Sequence, residues 1–130
     1  MRRLLLALAA AFATGPASSE TCLLAFEGTV VLQGPCHFET RPGGSFTVYD
    51  ARGWQRGADG AWRITNAPTA FAAQLDIEAR GVGRGFANLD RDASDPRRLR
   101  PSARLHADLG TMLRHEACWL SEQSALCAWE

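Results

Sequence analysis

The sequence has no net charge and no lysine. Fourteen basic residues, all of them arginine, balance fourteen acidic residues. A protein that binds nucleic acid through its phosphates needs an excess of positive charge, so we expect no nucleic-acid partner. Arg2 and Arg3 fall in a segment that we expect to be removed, which leaves a side-chain balance of 12 − 14 = −2.

The sequence also lacks an apolar run long enough to cross a bilayer. The first apolar run covers residues 4–13, whereas a membrane-spanning helix needs about 20 apolar residues. Arg2 and Arg3 precede this run, and small residues follow it up to Ala17. This order is typical of a secretory leader. It predicts a signal peptide over residues 1–17 and no membrane anchor.

Cleavage after Ser19 is the alternative to cleavage after Ala17. Cleavage after Ala17 leaves residues 18–130 as the mature chain. This length is enough for one compact domain and short for two. We expect a single domain in a periplasmic or secreted protein.

No motif of a known catalytic or metal centre is present. The histidines His37, His106 and His115 do not have a zinc-protease spacing, and no Gly-x-Ser-x-Gly nucleophile motif occurs. We therefore assign no catalytic residue, no metal ligand and no cofactor. His106 and His115 are candidate ligand-binding residues. The alternative to this binding role is a catalytic or metal centre in which all three histidines converge with Asp108 or Glu116.

Short alternating runs separated by turn residues make up most of the chain after the leader. Gly and Pro clusters punctuate these runs at short intervals, which is typical of antiparallel strands. We predict an all-β fold, a small antiparallel sandwich or barrel-like domain. Two segments are exceptions: residues 90–108 are highly charged and predict a long surface loop, and residues 108–116 have the potential for one or two helical turns.

Four cysteines lie after the leader, at Cys22, Cys36, Cys118 and Cys127. Their intervals are too long for the close ligand pairs of a zinc site, and an exported chain favours disulfides. If residues 122–123 form a two-residue loop, antiparallel pairing places Cys118 opposite Cys127. Four cysteines allow three connectivities, among which we favour Cys22–Cys36 with Cys118–Cys127.

Trp54 and Trp62 flank a segment that resembles a hairpin. Two indole rings on one hairpin are a candidate platform for a sugar or a protein partner. The other interpretation is that both rings fill the core of a small domain, and we favour it because large aromatic residues dominate such cores.

Both cysteine-bearing ends of the chain resemble a group of small exported bacterial proteins of uncharacterised function. These proteins have an N-terminal cysteine pair and a C-terminal Ala-Cys-Trp…Cys-Ala-Trp hairpin. The matching segments are residues 22–28, 34–36, 44–46, 83–88, 106–111, 117–119 and 127–129. The resemblance implies export and the cysteine framework, and it implies no catalytic residue.

Two functional hypotheses follow from these observations. The first is a non-enzymatic exported β domain that binds an unknown protein or glycan at the cell envelope, for example as an inhibitor. The second is a small periplasmic hydrolase or metal-dependent enzyme that uses His37, His106 and His115. A purely structural envelope component is a third hypothesis.

The cysteine count predicts that the mature protein contains no free thiol, because cysteines pair in an oxidising compartment. Reduction should lower the melting temperature markedly. Thiol titration of the denatured, unreduced protein should find no reactive group, and two or more free thiols per chain would contradict the prediction.

Overall fold

The computed structural model describes residues 20–65 and 68–129. The predicted signal peptide lies outside these residues. The described residues contain no helix that is long and apolar enough to cross a membrane.

Twelve strands and one short 3₁₀ turn make up the described chain. They are β1 (Glu20–Phe26), β2 (Thr29–Thr40), the 3₁₀ turn (Pro42–Gly44), β3 (Phe46–Asp50), β4 (Trp54–Arg56), β5 (Trp62–Ile64), β6 (Ala72–Ala79), β7 (Val82–Ala87), β8 (Leu89–Arg91), β9 (Leu99–Pro101), β10 (Ala107–His115), β11 (Cys118–Leu120) and β12 (Ser124–Trp129).

Eight of these strands form a closed antiparallel barrel in the order β1-β12-β11-β10-β7-β6-β3-β2. The predicted all-β antiparallel fold is confirmed, and of the two architectures the barrel is the one adopted. The other four strands form two separate hairpins, β4–β5 and β8–β9. Both hairpins are inserted at the same end of the barrel, because β3 and β7 run towards that end and β6 and β10 return from it.

The turn between β1 and β2 shows why the chain reverses so tightly. Glu27 and Gly28 have φ values of 50° and 83°, and two consecutive positive φ values match the right-handed twist of a hairpin. Gly28 adopts this backbone without steric cost. The turn places Leu24 opposite Leu32, and both side chains are fully buried inside the barrel.

The barrel interior is filled by large side chains that face small ones. A Cβ atom on Gly85 would lie 2.6 Å from Sδ of Met112 and 3.0 Å from Cδ1 of Leu109. Only glycine leaves room for these two fully buried side chains. An eight-stranded barrel is just wide enough for side chains to fill it. The small residue on β7 and the two large residues on β10 together fill that interior.

The two disulfides are Cys22–Cys36 and Cys118–Cys127, as favoured from the sequence. Cys118 lies directly opposite Cys127 in the β11–β12 pair, and the predicted two-residue loop is present because the Ser121 N–H bonds to the Ser124 carbonyl. Both disulfides join neighbouring strands. They indicate folding in an oxidising, extracytoplasmic environment.

Two expectations about local structure were wrong. Residues 108–115 belong to strand β10, which pairs with β7 along most of its length, and Glu116 lies in the turn that follows. The segment makes no helical turn. Gly110 forms a bulge there with φ 90°. Residues 90–108 are not one long loop, because β8 and β9 pair as a hairpin whose Leu89 and Leu99 pack on the barrel core.

Buried Asp50 fixes the start of the connection that carries the β4–β5 hairpin. Its carboxylate accepts hydrogen bonds from the Arg52 backbone N–H, Nε and a terminal nitrogen at 2.9, 3.0 and 2.8 Å. The hydrogen bond to Asp50 raises the pKa of Arg52 above its ordinary value. The ion pair therefore compensates the burial of a full charge.

Asn88 ties three segments together where β7 leaves the barrel. Its Oδ1 accepts a hydrogen bond from the Ala72 N–H at 2.8 Å. Its Nδ2 donates to the Ala70 and Ser102 carbonyls, both at 2.8 Å. The side chain is fully buried, so its amide replaces water as the partner of three backbone groups.

Replacing Asn88 should therefore destabilise the protein strongly. Asn88→Ala removes the side-chain partner of the Ala72 N–H and the Ser102 carbonyl and one of the two donors to the Ala70 carbonyl. Asn88→Asp sets a carboxylate oxygen against two carbonyls. Each change should lower the free energy of unfolding by about 3 kcal/mol or more. Urea denaturation measures this loss, with exposed Gln55→Ala as the control. A loss of less than about 1 kcal/mol in both Asn88 variants would show that the hydrogen bonds of Asn88 do not hold these segments together.

Candidate functional site

The β4–β5 hairpin folds back on the outer wall of the barrel and buries Trp54. The Trp54 ring is 8% exposed, and its Nε1 donates a hydrogen bond to the Ala70 carbonyl at 2.9 Å. Trp54 packs with Ala70 and Ala72 in a second apolar cluster outside the barrel. The favoured interpretation placed both rings in the core of the domain; Trp54 is buried, but in this cluster outside the barrel core.

Trp62 has neighbours around its ring. The Tyr49 ring stacks on it with centroids 4.3 Å apart, and the His37 ring lies 5.0 Å away. The Arg56 guanidinium lies 5.7 Å from the centroid of the Trp62 ring. The Nε1 of Trp62 donates a hydrogen bond to Glu39 Oε2 at 3.1 Å. Trp62 therefore offers little free ring surface for stacking a sugar.

This arrangement changes the acidity of Tyr49. Burial beneath the hairpin raises the pKa of the phenol above 10.0, and the negative charge of Glu39 adds to the effect. Both causes disfavour the phenolate.

His106 is held by two oxygen atoms. Its Nδ1 lies 2.9 Å from the Arg104 carbonyl and its Nε2 lies 2.8 Å from Asp90 Oδ1. The nearby Ser102 hydroxyl donates to the Arg104 carbonyl and not to the imidazole. With both ring nitrogens engaged and no hydroxyl bonded to it, His106 lacks the hydrogen bond that activates a serine nucleophile.

The structure does not bring the three histidines together. His106 precedes β10 and His115 ends it, so a strand rise of about 3.3 Å per residue separates them by roughly 30 Å. His37 lies on β2 against Trp62. Among residues 20–65 and 68–129, no group of three His, Cys, Asp or Glu side chains is placed to hold a metal ion.

The end of the barrel opposite the two inserted hairpins carries a recess, which we call the open end. Its cavity of about 190 Å³ is lined by Phe38, Gly44, Phe46, Arg114, Glu116, Ala117, Trp119 and Ala128. A second recess of about 360 Å³ adjoins it and is lined by Glu20, Phe38, Thr40, Ala128 and Trp129. Phe38 and Ala128 belong to both, so the two recesses form one continuous surface.

Inward-facing positions of different strands build this recess. Phe38 and Phe46 stack with ring centroids 4.8 Å apart on β2 and β3, which the 3₁₀ turn connects. Trp119 faces inward on β11 and is 6% exposed. Arg114 lies at the rim, where its Nε donates to the Glu116 carbonyl at 3.1 Å. An apolar floor with an exposed guanidinium at its edge results.

The sequence singled out Glu116, which lines this recess, only as a possible partner of the histidines, and it did not indicate the other lining residues. Alternation along β2 and β3 is the signal that marks Phe38 and Phe46 as inward-facing. That signal does not show that Arg114 and Trp119 lie beside them, because their strands are distant in sequence.

Comparison with protein-family models, with curated proteins and with solved structures found no match to this chain.

The raised pKa of Tyr49 gives a direct test of the packed hairpin. Tyr49 is the only tyrosine of the chain, so phenolate absorbance in an alkaline titration reports on it alone. We expect a midpoint above pH 10.0. A raised pKa in the folded state means that this contribution to stability is intact below the unfolded value and is lost as pH rises through the folded value.

Trp62→Ala should move this midpoint back towards 10.0, because it removes the stacked ring that buries the phenol. Trp129→Ala removes an indole at the open end and should leave the midpoint unchanged. A wild-type midpoint at or below 10.0, or equal shifts in both variants, would show that the hairpin does not cover Tyr49.

Proposed function

We propose that this protein is a non-enzymatic binding module, exported to the cell envelope, that holds an apolar side chain of a protein partner at the open end. The observation that carries the proposal is the recess of about 190 Å³ over Phe38, Phe46 and Trp119. Export is supported by the leader-like residues 1–17 and by the two disulfides.

The size of the recess over Phe38, Phe46 and Trp119 suits a single side chain. A buried apolar cavity of about 150 Å³ is enough to bind benzene. A recess of about 190 Å³ suits one aromatic or branched aliphatic group. The adjoining recess by Trp129 then receives the neighbouring residues of the partner.

The rim of the recess supplies polar contacts of the kind found in protein interfaces. Arg114 and Glu116 are exposed, and arginine beside an apolar anchor pocket is common among residues that dominate binding energy. An inhibitor that inserts or receives one anchor side chain needs this combination and no catalytic group.

A glycan partner has less support. Sugars stack on flat, exposed aromatic rings, but Trp54 and Trp62 pack against neighbours. Phe38 and Phe46 stack on each other. Trp129, at 43% exposed, is the indole at the open end with most free surface.

A photoreactive amino acid placed in the living cell can test this proposal. We choose Thr40, which is exposed at the open end, and Arg98, which is exposed at the other end of the barrel. The residue at Thr40 should form a discrete covalent adduct with one envelope protein, and the residue at Arg98 should not.

Charge reversal at the rim provides the matched control. Arg114→Glu should reduce the Thr40 adduct at least about tenfold, which corresponds to about 1.4 kcal/mol. Arg98→Glu should leave it unchanged. Equal adducts from both positions, no effect of Arg114→Glu, or an adduct with glycan alone would refute a protein-binding recess at the open end.

A further inference from the structure

An unbroken row of apolar side chains crosses the outer wall of the barrel. Strand register connects each member to the next across six strands. We call this row the apolar belt; in order around the barrel, it contains Val82, Leu113, Leu120, Ala125, Ala25 and Val30.

The large members of the belt are unusually exposed. Leu113, Val30 and Leu120 have 58%, 51% and 40% of their surface accessible. Single exposed leucines are common on soluble proteins, but contiguous apolar patches mark interaction surfaces.

The next outward-facing row extends the belt without adding a formal charge. It contains Leu23 and the Cys118–Cys127 disulfide, and it ends at Gln33 and His115. Asp, Glu and Arg are absent from both rows. The wall formed by β11, β12 and β1 is therefore apolar across two rows, and β10 adds Leu113 to the first row.

We propose that a second copy of this chain covers the belt, so that the protein forms a symmetric dimer through the wall of β10, β11, β12 and β1. A two-fold contact places the same surface on both partners, and a surface without formal charge meets itself with no buried unpaired ion. The mature chain has a side-chain balance of only 12 − 14 = −2, so two copies repel each other weakly over long distances.

The chemistry of the belt favours a copy over a foreign protein. Specific recognition of a different partner uses charged and polar groups that match it and reject others. The belt has no such group, whereas apolar rows of two copies complement each other directly. This inference is independent of the open end, which lies at one end of the barrel and not on this wall.

The size of the contact indicates a weak dimer. Strands about 4.8 Å apart make a six-strand row roughly 24 Å long, but the wall curves, and two convex walls touch over only part of it. The contact then covers a few hundred Å² on each copy, less than the roughly 800 Å² of a standard interface. Dimerisation should therefore appear only at high protein concentration.

Sedimentation velocity of the mature protein between about 1 µM and 1 mM tests the proposal across the concentrations where weak dimers form. The weight-average mass of the wild type should rise towards twice the monomer mass. Leu113→Glu and Leu120→Glu should each raise the dissociation constant at least about tenfold. Both side chains are solvent-exposed, so the unfolding midpoint should change little.

Ile64→Glu is the matched control, because Ile64 is 37% exposed on the β4–β5 hairpin, away from the belt. It should leave dimerisation unchanged. A wild type that stays monomeric at all concentrations, or a dimer that resists both leucine variants, would overturn the proposal. Binding of a monomeric wild type to phospholipid vesicles, lost in Leu113→Glu, would assign the belt to a lipid surface and would overturn it equally.

Discussion

Pairing of the first barrel strand with the last holds this structure together. β1 pairs with β2 on one side and with β12 on the other, so the sheet has no free edge in the barrel. Closure of eight strands defines a lumen just wide enough to be filled by side chains. Gly85 on β7 leaves room in this narrow lumen for the large side chains of Leu109 and Met112 on β10. Without the β1–β12 pair, two long edges would be exposed to other chains.

Closure also explains why the features of interest lie outside the lumen. Because the interior is packed, the two inserted hairpins attach at one end, where Asn88 and Asp50 supply the polar contacts that a buried connection needs. The opposite end has no inserted hairpin among the described residues and retains a recess. The wall between the two ends carries the apolar belt. The sites that we propose are therefore surfaces of the barrel and not a chamber within it.

Local patterns predicted part of this molecule well. The β11–β12 hairpin follows from a two-residue loop and the positions of Cys118 and Cys127, all within ten residues. The all-β class follows from alternation and turn residues. The leader over residues 1–17 stays a prediction. In contrast, residues 108–115 belong to a strand because β10 pairs with the distant β7. The charged segment that begins at residue 90 forms the β8–β9 hairpin because Leu89 and Leu99 pack on the barrel core. The two recesses of the open end combine side chains from six strands, namely β1, β2, β3, β10, β11 and β12. No short spacing in the sequence therefore predicts the open end.

The two disulfides differ in how a reductant can reach them. Cys22 and Cys36 are both 0% exposed inside the barrel, so a thiolate must wait for the barrel to open before it can attack either sulfur. Cys118 lies on the outer wall and is only partly buried, so attack there requires no opening of the lumen. The Cys118–Cys127 disulfide is thus accessible to redox chemistry in the native state. The Cys22–Cys36 disulfide is exchanged only at the rate at which the barrel opens.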